Sequence, residues 1–152
     1  AMEYAGFSYT HSLRNFVTDS SAGGTALATG YLILNGEVGL AADGSRLKTV
    51  LEYAEEAGKW TGIVVTSRIT HATPASMVAH VKSRNNEDEI ALQIASADVE
   101  VLLGGGWDKF LPGRTQKVNQ PAIGGKAVAG LTGGFEVLAS ASDSSISRRN
   151  SL

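Results

Sequence analysis

The stretch VTDSSAGGTALATG, residues 17–30, places Asp19, Ser20 and Ser21 directly before a run of small residues. A short candidate strand, residues 15–17, leads into it. Residues 20–29 carry the alanine, glycine and threonine of a tightly packed helix, and Gly30 is the expected C-cap. Backbone N–H groups point out of a helix N-terminus, so an incoming oxyanion is favoured there. A serine at that position is a nucleophile if a metal or a general base activates it, and otherwise a simple N-cap, the commoner role. Ser20 and Ser21 both qualify by position. The spacing matches neither the phosphate loop that ends in Gly-Lys-Ser/Thr nor the Gly-x-Ser-x-Gly elbow.

A second group lies downstream. His71 follows an apolar run, Thr73 begins the next helical segment, and Arg84 ends it. Strand ends in an open α/β sheet are where ligands bind. His71 has the chemistry to ligate a metal, hold a metal-bound water or contact phosphate. Arg84 has the fork geometry to clamp two phosphate oxygens, against the plainer role of an ordinary ion pair. His80, one helical turn before Arg84, is expected to make a structural hydrogen bond or to orient its neighbour. His11 has no supporting constellation.

The elements that must position these residues read as α/β. Residues 46–59 have a helical period, with Leu47, Val50, Leu51, Ala54 and Ala57 on one face and a Glu55–Lys59 pair. Residues 62–69 form an apolar strand whose continuous centre suits a sheet covered on both faces. Thr73 is placed to cap a helix whose first turn tolerates Pro74. Residues 87–97 form a helix with Ile90, Ala91, Ile94 and Ala97 inward and an acidic first turn that suits the helix dipole. Residues 99–103 form a strand followed by a glycine turn, and residues 135–138 a last strand. Residues 35–45 read as loop and turns, residues 111–130 show no period, and the serine-rich end has no core pattern.

Composition sets the bounds. The chain has 152 residues, 43% hydrophobic and 18% charged, with a formal net charge of -2. That is globular and gives no reason to expect nucleic-acid or anionic-membrane binding. There are no cysteines, which excludes disulfides, thiol catalysis and cysteine-ligated zinc. No stretch approaches a membrane span in length and apolarity.

These motifs together resemble the alkaline phosphatases. VTDSSAGGTALATG is similar to their nucleophile segment, and YLILNGEVGL to the segment after it. TGIVVTSRITHATPASMVAHVKSR resembles their long strand-helix motif, and DVEVLLGGG a later strand and glycine turn. The similarity runs in order over about residues 15–110. It implies a partial three-layer α/β/α sandwich, with residues 1–152 as one partial domain. It implies phosphomonoester hydrolysis through a phosphoserine on Ser20, chosen over Ser21 by the Asp-Ser order. Arg84 is then the phosphate-binding arginine, and Asp19 the neighbour that positions it. Zn²⁺ and Mg²⁺ are the implied cofactors: Ser20 beside zinc, Thr73 as a magnesium ligand, and His71 as a metal ligand or as an outer residue holding a bound water.

The family's upstream Gly-Asp-Gly motif and its downstream acidic and histidine motifs are absent from this sequence, whose three histidines are His11, His71 and His80. The chain therefore reads as an internal or N-terminally shortened portion of such an enzyme. The isolated chain is expected to be inactive, the alternative being a non-catalytic phosphate-binding or structural remnant. A phosphomonoester or inorganic phosphate is the expected small-molecule partner. A second copy or a complementing chain is the expected protein partner, and a periplasmic or secreted location follows from the resemblance.

Overall fold

The computed structural model describes residues 3–4, 6–110, 126–130 and 136–140. The element order is α1 (Ser20–Thr29), α2 (Val50–Glu56), β1 (Gly62–Arg68), α3 (Ala72–Ala75), α4 (Glu87–Ser96), β2 (Val101–Gly105), a 3₁₀ turn (Trp107–Phe110), β3 (Lys126–Gly130) and β4 (Glu136–Ser140). The four strands form one sheet in the order β1-β2-β4-β3. β1 and β2 are parallel, and β4 runs antiparallel to both β2 and β3. This is the expected mixed α/β architecture. Among the described residues no helix is long and apolar enough to cross a membrane.

The main core lies between the helices and one face of β1 and β2. Ile63 and Leu102 from the strands meet Ile90 and Ile94 from α4, with Ala75, Val78 and Ala79 from α3 and the turn after it. Ile90 and Ile94 are fully buried, and each such side chain contributes about 1.5–3 kcal/mol through burial. On the other face of β1, Val64 is 67% exposed, with no cover among the described residues. The strand's apolar run does not mean cover on both sides here. A smaller cluster of Ala22, Ile33 and Leu47 seats α1.

Several element boundaries differ from the sequence reading. Residues 15–17 form no strand: all three are exposed, and the Val17 carbonyl accepts from Asn35 Nδ2 at 2.8 Å instead of joining a ladder. α2 spans Val50–Glu56 rather than residues 46–59, and a capping box at Thr49 sets its start. Thr49 Oγ1 accepts from Glu52 N at 3.1 Å, and Glu52 Oε2 accepts from Thr49 N at 2.8 Å. Leu47 is buried ahead of the helix, whereas Val50 and Ala57 face solvent. Glu55 accepts from Thr61, and Lys48 pairs with Glu56.

β2 is displaced toward the glycines because they belong to the strand. A Cβ on Gly104 would stand 2.9 Å from Val65 Cγ2, so only glycine lets β2 lie this close to β1. α4 matches its expected span with Ala97 as C-cap, and Gly30 caps α1 with φ +79°. β3 falls within the stretch that showed no period, and β4 extends past residue 138 to Ser140. Phe135 and the serine-rich end after residue 140 lie outside the described residues.

Thr49 also donates to Met77 O at 2.8 Å while fully buried. Thr49→Ala is expected to destabilise the chain by about 1–2 kcal/mol, and Thr49→Ser to restore most of that. Urea unfolding midpoints of the three proteins check it.

Candidate functional site

Asp19 caps α1 and is the centre of the site. Its backbone is extended, and its carboxylate turns back over the first turn. Oδ1 accepts from Ala22 N at 2.9 Å and from Ser21 Oγ at 2.8 Å. Oδ2 accepts from Gly36 N at 3.0 Å and from Arg84 Nη1 at 3.2 Å. Burial pushes the Asp19 carboxyl up, but these donors, led by Ala22 N–H and then Ser21, Arg84 and Gly36, outweigh it and hold it below its ordinary value.

The two serines separate here. Ser21 is fully buried, with Oγ fixed between the Asp19 carboxylate and Gly36 N at 3.1 Å. Ser20 is exposed on the first residue of α1, and its Oγ has no hydrogen-bond partner among the described residues. Capping belongs to Asp19 and structural bonding to Ser21, which leaves Ser20 facing solvent at a helix N-terminus.

Arg84 reaches the site from the far side of the chain. Its N–H donates to Gly36 O at 2.7 Å, and its side chain is about a quarter exposed, at 24%. Among the described residues only Nη1 of the guanidinium is engaged, at Asp19. The other guanidinium N–H donors make no hydrogen bond among the described residues, and a guanidinium's fork geometry suits an oxyanion.

Asn35 and Gly36 are the residues that sequence reasoning missed. Asn35 Oδ1 accepts from Asp19 N at 3.2 Å, and Gly36 bonds Asp19, Ser21 and Arg84 at once. The Asn-Gly pair signals a turn, but its long-range partners leave no local trace.

α3 brings His71 and Thr73 alongside. Gly24 of α1 permits this contact: a Cβ there would lie 2.8 Å from Ser76 Oγ and 3.7 Å from Thr73 Cα. His71, not Thr73, is the N-cap residue, and it makes no side-chain cap bond. Thr73 sits exposed inside the first turn, next to the buried Pro74, because the helix is capped two residues earlier than expected. Neither side chain bonds Ser20, Asp19 or Arg84.

His80 makes the structural bonds expected of it, to Gly39 O and Glu52 Oε1. Exposed His11 lies edge-on to Tyr9. Among the described residues no group of three or more His, Cys, Asp or Glu side chains is placed to hold a metal ion.

The chain matches the alkaline phosphatase family model over residues 1–133. It is 47% identical over 100 residues to alkaline phosphatase 4 of Bacillus subtilis, covering 62% of this chain and 22% of that protein. It is 44% identical over 117 residues to the alkaline phosphatase of Schizosaccharomyces pombe, covering 74% of this chain and 22% of that one. The alkaline phosphatase from the Antarctic bacterium TAB5 superposes with a TM-score of 0.65 at 42% identity, covering 66% of this chain and 30% of that structure. The chain thus spans about a quarter of the length of these relatives.

Because folding holds the Asp19 carboxyl below its ordinary value, the carboxylate stabilises the fold above the ordinary range, and this contribution disappears as pH falls through the folded value. Stability is expected to decline as pH falls below about 5, and Asp19→Asn to flatten that decline while lowering stability at neutral pH. Urea midpoints across that range check both.

Proposed function

The chain belongs to the alkaline phosphatase family, and from that membership we propose that Ser20 accepts the phosphoryl group of a phosphomonoester while Arg84 holds its non-bridging oxygens. The observation that carries the reading is the division of labour around Asp19. One carboxylate occupies the helix cap, immobilises Ser21 and orients Arg84, leaving the Ser20 hydroxyl exposed at the N-terminus of α1.

In the first step Ser20 Oγ forms a bond to phosphorus as the ester P–O bond breaks. The serine proton is transferred, in net terms, to the departing alcohol. Water then cleaves the phosphoserine, releasing inorganic phosphate and returning the proton to Ser20. Arg84 and the helix N-terminus counter the charge of the dianionic group in both steps. Recognition centred on the phosphate fits a broad range of esters.

Zinc and magnesium are the metals the family implies. The described residues do not fit a zinc pair: no cluster of metal-binding side chains is present among them. His71 and Thr73 give one imidazole and one hydroxyl at the start of α3, but no carboxylate of the kind through which magnesium, which keeps several of its waters, is usually held. No step is therefore routed through a metal in this chain. Without one, Ser20 is an ordinary alcohol, and the 152-residue chain alone binds phosphate with little or no turnover.

The test pairs phosphate titration with hydrolysis of a chromogenic phosphomonoester in added zinc and magnesium. Arg84→Ala is expected to weaken phosphate binding about tenfold or more, the scale of a charge-assisted contact. Ser20→Ala is expected to leave binding within about threefold. Robust turnover that Ser20→Ala abolishes would contradict the inactivity of the isolated chain while supporting the nucleophile. Phosphate binding indifferent to Arg84→Ala would overturn the site itself.

A further inference from the structure

His80 is buried, 7% exposed, and bonds to Gly39, Glu52 and Gln93 rather than to Asp19, Ser20 or Arg84. Its ring is bonded at both nitrogens: Nδ1 lies 2.8 Å from Gly39 O, and Nε2 lies 3.1 Å from Glu52 Oε1. Its backbone is held as well. His80 N donates to Gln93 Oε1 at 2.8 Å, and Gln93 Nε2 donates to His80 O at 3.2 Å. One residue is thus tied to α2 through Glu52, to α4 through Gln93, and to the loop before α2 through Gly39.

That loop is the one that builds the site. Residues 36–39 run antiparallel to residues 80–84 along a short ladder. Arg84 N donates to Gly36 O, and Val38 and Val81 exchange both backbone bonds at 2.9 Å. The His80 side chain closes the far end at Gly39. The closure is tight: Gly39 has φ +61°, and a Cβ there would stand 2.4 Å from Ala79 O and 2.7 Å from His80 Nδ1. Gly39 N also donates to buried Thr25 Oγ1 of α1 at 3.1 Å.

We propose that His80 is a positioning residue for the phosphate site: by donating from Nδ1 to Gly39 O it fixes the register of residues 36–39 against residues 80–84, and so places both Gly36 and Arg84 on Asp19. The consequence for phosphate rests on the reading of Arg84 given above. The ladder itself does not.

Two substitutions separate the ring's two bonds. His80→Asn keeps a donor near the Nδ1 position, and His80→Gln keeps one near Nε2. Amide hydrogen exchange in the full chain reads the result. In His80→Gln, exchange at the Gly36 and Arg84 amides is expected to quicken about tenfold relative to the Ile90 amide in α4, whereas His80→Asn stays within about threefold of wild type. Equal quickening of all three amides in both variants, or no change at Gly36 and Arg84, would overturn the proposal.

If His80→Gln does not fold, the wild-type ring decides. A slowly exchanging proton on Nδ1 is expected, and a ring protonated on Nε2 alone contradicts it. Phosphate titration then tests the consequence, with about fivefold weaker binding expected in His80→Gln and none in His80→Asn. If Arg84→Ala leaves phosphate affinity unchanged, the phosphate reading fails, while the exchange data still decide the role of His80.

Discussion

The site depends on one buried-side constraint: the Asp19 carboxylate must satisfy donors from three separate parts of the chain. Ala22 N–H and Ser21 Oγ–H come from α1, Gly36 N–H from the loop, and Nη1 from Arg84. Removing the carboxylate would strand several donors at once, which costs far more than one exposed hydrogen bond. The same anion neutralises the helix N-terminus and yet holds only one corner of the guanidinium. Ser20 is left exposed, and the rest of the Arg84 guanidinium makes no hydrogen bond among the described residues.

The fold supports this arrangement through close backbone approaches. Gly24 lets α3 rest on α1, Gly104 lets β2 lie against β1, and Gly39 closes on Ala79 and His80. The parallel pair β1–β2 delivers the chain to Thr70 and His71 at the carboxyl end of β1, where open α/β sheets bind ligands. Arg68 and Thr70 then converge on Glu87, the first residue of α4, anchoring that end of the strand. Burial raises the Glu87 carboxyl, but the bonds to Arg68 and Thr70 outweigh it and hold it below its ordinary value.

Much of this was legible because its signals are local. Small residues between Asp19 and Gly30 gave α1 its span, and the acidic first turn with Ile90 and Ile94 gave α4. The T-x-x-E pattern at Thr49 was also present, but a longer apolar period concealed it, because buried Leu47 continues that period without being helical. β2 was misplaced because glycine reads as a turn until its strand neighbour is known. The links from Asn35, Gly36 and Gly39 were illegible because most of their partners lie 14 to 48 residues away and depend on tertiary geometry. Resemblance to the alkaline phosphatases singled out Ser20 over Ser21 by order alone. In the structure Ser21 is buried and bonded to Asp19, whereas Ser20 is exposed.

The most direct measurement is a crystal structure of the chain grown with inorganic phosphate. The account predicts the anion at the N-terminus of α1, between Ser20 Oγ and the outward edge of Arg84, with Nη1 still on Asp19 and Ser21 Oγ still on the same carboxylate. An anion bound elsewhere, or one that draws Ser21 out of its bond to Asp19 while Ser20 stays uninvolved, would contradict it.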